Sequence, residues 1–340
     1  VQSSAGNVTV KGKGGNHSGG SQFGVYVTGT DAEIKSGGSG TVTVEGTGGS
    51  GTGNDNYGVY VVSSARITSG VSGNVMVTGI GGEGSGNAKF GVYVLTSAQI
   101  TSGGSGTVTV MGTGGAGSGD SNFGVFVQNL GVITSGGGSV DVTGQGGGGS
   151  GAGIDNFGVY VLTSGQITST GSGAVTVTGT GGSGSGNNSY GVYVLSSALI
   201  TSGGGDVSVS GTGGSGSGSS NFGVYVSGSG SAITSGGGAV SVTGTGTTNS
   251  SAVSLDADGA IKSGGDASIT VIADSLAFTG SPLGTINSGA GATTLRQRTT
   301  GTLINLGGAD VLSGSPLTLG LTDAELDRVT AGTLNIGDSN

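Results

Sequence analysis

Few side chains in this sequence are equipped for chemistry. Its 340 residues include 18 Asp and Glu, nine Lys and Arg, one His and no Cys. The most suggestive pattern for a metal is Gly48-Gly49-Ser50-Gly51-Thr52-Gly53-Asn54-Asp55-Asn56-Tyr57. It faintly matches the Gly-Gly-x-Gly-x-Asp-x-apolar unit that binds Ca²⁺ when nonapeptides follow one another and adjacent turns share an ion. Here the unit comes once per long repeat, and the acid persists only at Asp55, Asp120 and Asp155. Six to eight oxygen ligands are hard to gather that way. The expectation is no cofactor, with structural calcium as the minor alternative.

Glycoside hydrolysis needs two carboxyl groups facing one bond. Asp141 and Asp206 fall on third-strand positions two repeats apart, and the one histidine, His17, stands in a glycine tract. Glu33 and Arg66 occupy equivalent places in adjacent repeats and could pair, with little effect at a surface. No enzymatic activity is expected. Ice binding would need a regular Thr-x-Thr array. Thr41/Thr43 and Thr107/Thr109 fit it, whereas Asn74/Met76, Ser139/Asp141, Ala174/Thr176 and Asp206/Ser208 do not. Asn56, Asn122, Asn156 and Asn221, with Gln22, Lys89 and Ser189 in other repeats, precede an aromatic residue. They read as a partial amide ladder capping turn backbone.

These residues are positioned by a repeat. An Asn-Phe-Gly-Val-Tyr-Val-Leu motif starts its aromatic at Phe23, Tyr57, Phe90, Phe123, Phe157, Tyr190 and Phe222, in steps of 32 to 34 residues. A worn copy begins at Ser251, and of the 15 aromatic residues only Phe278 lies outside the motif. Each repeat carries two further signals, Ile-Thr-Ser-Gly (as at Ile100) and Val-x-Val-x-Gly (as at Val108). Alternation of apolar and small polar residues is the period of a half-buried strand. Three short strands per fixed-length repeat predict a right-handed parallel β-helix. About nine coils to residue 273 would make a rod of roughly 40 Å. A β-propeller is disfavoured, because a blade needs four antiparallel strands.

Composition narrows function. Gly makes up 85 of 340 residues without a Gly-X-Y period, which excludes collagen. The net charge of -9 and the absence of Lys/Arg clusters argue against nucleic acid and anionic membranes. No apolar run reaches the ~20 residues of a membrane span. Val1 begins inside a repeat and Leu334-Asn335-Ile336 ends the chain without a cap, so the sequence reads as an excerpt of a longer protein or one capped by other subunits. Between the third strand and the next aromatic lies a glycine tract, such as 112–121. Glycine's permissiveness favours a flexible external loop; the alternative is a stacked, ordered layer.

From about residue 274 the period breaks, and 274–340 reads as three tighter coils of about 20 residues. Thr322-Asp323-Ala324-Glu325 is a capping-box pattern that predicts a short helical turn near 322–331. The segment Leu319-Gly-Leu-Thr-Asp-Ala-Glu-Leu-Asp-Arg-Val-Thr-Ala-Gly-Thr-Leu-Asn-Ile-Gly337 resembles one that recurs in very large bacterial surface and secreted proteins, similar to filamentous haemagglutinin and autotransporter passenger domains. That resemblance implies a right-handed β-helix exported from the cell and used in adhesion, and it carries no catalytic residues.

The sequence therefore points to a non-enzymatic stalk or adhesin segment outside the cell. The alternatives are a subunit of an extracellular filament and a polysaccharide-binding β-helix. Its expected partners are its own coils or neighbouring solenoids, and cell-surface or matrix glycans. The expected contact face comes from strand alternation, which puts Phe23, Val25 and Val27 inward and Gly24 and Tyr26 outward. Tyr26, Tyr60, Tyr93, Phe126, Tyr160, Tyr193 and Tyr225 would then form an exterior column beside a bare glycine groove from Gly24 to Gly223.

Overall fold

The computed structural model describes residues 1–149, 153–247 and 249–337. In the coil that begins at Phe90, the three sequence signals become an aromatic strand Val92–Leu95, a middle strand Gln99–Ser102 and a third strand Val108–Thr113. Each pairs in parallel with its equivalents in the coils on either side. Val92 meets Val59 and Val125, Ile100 meets Ile67 and Ile133, and Val108 meets Val75 and Val140. Among the described residues the middle and third strands each build an 11-stranded sheet, and the aromatic strands build a nine-stranded one. The chain is an all-β parallel solenoid with coils of about 33 residues and three strands per coil.

Register follows from what each strand buries. Val92, Val94, Ile100, Val108 and Val110 are fully buried between the three sheets, as are their counterparts in neighbouring coils. A slip of one residue would turn every one of them outward. Burying one such side chain stabilises by roughly 1.5–3 kcal/mol.

The corners explain the remaining motif letters. Between aromatic and middle strands, Thr96 (φ 54) and Ser97 (φ 59) take two successive left-handed conformations, the backbone of a two-residue turn. Between middle and third strands, the buried Ser102 hydroxyl donates to the Gly73 carbonyl at 3.0 Å. Ser69, Ser135, Ser169, Ser202 and Ser235 are buried at the same place in their coils, which is why the motif ends Thr-Ser-Gly.

At the third corner the six-residue third strand outruns the four-residue strands beside it. Its glycine, Gly112, packs directly against the Gly124 backbone of the next coil. The glycines expected to line a groove are accordingly filled by backbone. A Cβ on Gly91 would strike Thr113 and Gly124, and one on Gly124 would strike Gln145 and Gly158.

Among the described residues the glycine tracts take the layered arrangement rather than that of a loose external loop. They stack coil on coil and carry their own hydrogen bonds: Gly82 N to Asn56 O at 2.8 Å, Gly115 N to Lys89 O at 2.8 Å and Gly148 N to Gly115 O at 3.0 Å. A Cβ on Gly82 would meet the Gly49 carbonyl, one on Gly115 the Gly82 carbonyl, and one on Gly182 the Gly147 carbonyl. Glycine is required there because chains pass at backbone contact distance, as at the axis of a collagen triple helix.

The tail also departs from expectation. Leu276–Thr279, Thr285–Asn287 and Ala292–Arg296 form one complete tighter coil. The last coil is interrupted. Leu303–Leu306 and Thr318–Leu321 pair with each other in a separate two-stranded sheet, before Val329–Thr330 and Thr333–Ile336 rejoin the two long sheets. The capping box forms: Thr322 caps the helix Asp323–Leu326, with its Oγ1 accepting from Glu325 N and its own N–H donating to the Glu325 carboxylate. Leu321 is fully buried, and Leu326 and Val329 pack partly buried against the core.

Candidate functional site

The aromatic column stands outside its sheet but is not an open face. Tyr60 stacks on Tyr93 at 5.1 Å, Tyr93 on Phe126 at 4.8 Å, Phe126 on Tyr160 at 4.9 Å and Tyr160 on Tyr193 at 4.8 Å. Tyr225 continues the column at 5.1 Å from Tyr193, and Tyr26 begins it at 5.2 Å from Tyr60.

Phe23 does not face the core, contrary to the alternation argument. Its column, Phe23, Tyr57, Phe90, Phe123, Phe157, Tyr190 and Phe222, packs against the first one, edge-on from Tyr57 to Tyr190, as Phe90 does on Tyr93 at 5.1 Å and 86°. The physical reason is that the strand begins at Val25, so the pleat does not extend back across Gly24 to Phe23. Two interlocked ring columns make a second apolar core, with the edge-to-face geometry that aromatic quadrupoles favour. Tyr93 and Phe126 are each only 6% exposed, whereas Tyr26, in the first coil, is 51% exposed. Burial pushes the hydroxyls of Tyr93, Tyr160 and Tyr193 well above the ordinary phenol range, and that of Tyr190 up to about 12. These hydroxyls stay neutral at physiological pH, and that of Tyr93 accepts from Gln128 Nε2 at 2.9 Å. What stays open is a groove of about 310 Å³ between Tyr160, Tyr190 and Tyr193 and the polar edge of Ser121, Asp155 and Asn188.

The residues before the aromatic make a buried ladder. Asn122 Oδ1 accepts from Lys89 N at 3.2 Å, Asn156 Oδ1 from Asn122 N at 2.9 Å and Asn221 Oδ1 from Ser189 N at 2.8 Å. Their amide nitrogens donate into the glycine layer, Asn156 to Gly153 O at 2.9 Å and Asn221 to Gly218 O at 2.9 Å. The ladder thus ties the glycine layer to the aromatic strands.

Lys89 breaks it. Its ammonium, fully buried where its neighbours carry amides, donates to the Gly86 carbonyl, and burial pushes its pKa down. Lysine has no acceptor to offer, so Asn56 N–H lacks the cross-coil bond that Asn122 N–H enjoys. Lys89→Asn is expected to stabilise the central coils by about 1–3 kcal/mol, through one restored bond and one less buried cation. Chemical denaturation checks this; an unchanged or lowered midpoint would contradict the ladder.

The acids do not converge. Asp120 lies one position before Asp55 and Asp155 in the stack: its Oδ1 accepts from Ile154 N at 2.8 Å, while Asp55 accepts from Tyr57 and Asp155 from Asn188 Nδ2 at 3.0 Å. Asp206 is not an outward strand residue. It precedes its strand and caps Ala239 N at 2.8 Å. Glu33 and Arg66 share a register position, but Glu33 pairs with Lys35 at 3.4 Å instead. Among the described residues no group of three or more His, Cys, Asp or Glu is placed to hold a metal.

Hydroxyl patterning also shifts. Thr41 and Thr107 precede their strands. The outward array is instead Thr176, Thr178 and Thr180, then Ser208, Ser210 and Thr212, then Ser241, Thr243 and Thr245, in register over three coils. The alternation within Val-x-Val-x-Gly-Thr carried that signal, and reading it two residues early, one position before the strand, hid it.

Three acids at the break of the period have no counterpart in the sequence reading. Asp256 accepts from Tyr225, Ser227 and Thr279 at 2.7–2.9 Å and so terminates the aromatic column. Asp274 accepts from Arg298 N at 2.9 Å and Thr299 N at 2.8 Å. Burial pushes its carboxyl up, but these bonds, with those from the Thr299 and Thr302 hydroxyls, outweigh it and hold it below the usual range.

Asp310 is pushed up to about 7 by burial, with Glu325 adding to the effect, against hydrogen bonds from Gly320 and Leu276. A carboxyl raised on folding contributes stability that is present below its unfolded value near 4 and lost as pH climbs through about 7. Asp310→Asn is therefore expected to protect the tail at pH 8, with the gain shrinking to nothing near pH 4. Thermal melts at the two pH values check this, and equal gains at both would refute it.

No family model, no curated protein and no solved structure matches the chain. No helix among the described residues is long and apolar enough to cross a membrane, which says nothing of spanning by strands.

Proposed function

We propose that this chain is a rigid, non-enzymatic segment of a long β-solenoid working outside the cell, as a stalk or adhesin that sets reach and presents surface. The observation that carries this reading is the doubling of the rod. Beside the aliphatic core, through the 33-residue coils, run an aromatic core, a partial amide ladder and a glycine layer. The 33-residue coils are thus held to their neighbours by more than the aliphatic core, a construction suited to bearing load along the axis. The low charge and the neutral hydroxyl rows fit display rather than turnover.

Microscopy of native material with an antibody to this chain tests the reading. Labelling of thin, straight projections on intact cells is expected. Label that appears only after lysis would overturn it, and continuous fibres free of cells would favour the filament alternative.

A further inference from the structure

The glycine layer stops at a definite place. Eleven residues separate Thr113 from Val125, but seven separate Thr245 from Val253 and three separate Ile272 from Leu276. The notch left by the missing tract is bordered by residues 311–317 from the interrupted last coil, leaving a half-open pocket of about 260 Å³.

Its two walls differ in chemistry. One carries hydroxyls that succeed the amide ladder: Ser250 Oγ accepts from Asn221 N at 2.7 Å, and Ser275 Oγ from Ala252 N at 2.7 Å. An asparagine in this position has amide protons to give to the glycine layer. Here the layer is gone, so neither serine proton meets an acceptor among the described residues. Thr247 adds a hydroxyl whose oxygen is buried without a partner among the described residues. Buried polar groups without partners are rare because burial strips them of water without replacing its hydrogen bonds. The 311–317 segment brings the larger aliphatic side chains, Val311, Leu312 and Leu317, with Ser313 and Gly314 between them. Asp274, held ionised at the rim by its hydrogen bonds, disfavours an anion.

A ligand that satisfies both walls has an uncharged hydrocarbon face and a rim of hydroxyl oxygens. A pyranose ring has both. We infer that this pocket binds one neutral sugar residue of a glycan. The inference rests on the adhesive reading for its biological use, and on the cavity alone for its chemistry.

Saturation-transfer NMR and calorimetry with methyl glycosides of glucose, galactose and N-acetylglucosamine test it on the full chain. Binding of at least one is expected. Thr247→Val, which keeps shape but removes the hydroxyl, should weaken it about tenfold. Leu312→Trp should abolish it by filling the cavity. Melting curves establish that each variant folds, and Thr247→Val decides alone if Leu312→Trp does not. Binding of none of the three, binding indifferent to Thr247→Val, or preference for N-acetylneuraminic acid would overturn the inference. Cell labelling and sugar binding fail independently, so loss of the surface reading is distinguishable from loss of this site.

Discussion

Val108→Asp should open the middle of the rod. Val108 is fully buried, in register between Val75 and Val140. A carboxylate there would have no counter-charge and no donor, because its neighbours are Val and Ile side chains. An unpaired buried charge destabilises by about 3–5 kcal/mol. Repeats touch only their neighbours, so the damage should stay local. Limited proteolysis is expected to cut within the coils flanking residue 108, while distant coils survive. Ser118→Asp, on an exposed position of the glycine layer, should stay within about 0.5 kcal/mol of the parent. Equal susceptibility of the two variants would contradict the assigned burial.

Gly112→Ala should be nearly as damaging, although it adds one methyl group. The new Cβ would occupy the space of the Gly124 carbonyl, which accepts the rung bond from Val92 N at 3.0 Å. Making room costs about 1–3 kcal/mol of overpacking, and displacing the bond about 1 kcal/mol more. Gly204→Ala is the matched control. Nothing lies within 4 Å of its Cβ position, so the change should be neutral or stabilise by about 0.5 kcal/mol through the unfolded chain. Denaturant midpoints of the pair check this. If both variants shift alike, the glycine contact is not what limits the spacing of the strands.

Much of this was legible in the sequence, because a repeat reports the same environment many times. Ile100 and Val108 read as core by alternation alone, and the structure buries both. Phe23 was misplaced because alternation holds only inside a strand, and Gly24 stands outside one. The glycine tracts looked loose because glycine's freedom is visible in sequence while close backbone approach is not. Only the stacked carbonyls of Gly49, Gly82 and Gly147 show why no side chain fits. The pocket was invisible for a different reason. It joins Thr245, Thr247, Ser250 and Ala252 to 311–317, across a break in the period where no repeat predicts what lies adjacent.

Hydrogen exchange resolved to single amides tests the central claim, that the glycine tracts are part of the solid rod. Gly82, Gly115, Gly148, Gly182 and Gly214 each donate an amide to a carbonyl of the same layer or of the ladder beside it. Their amides should exchange as slowly as those of Val108 and Val110 and be released together with them in denaturant. Exchange of these glycines at the rate of an unstructured peptide, while the strands stay protected, would contradict the account.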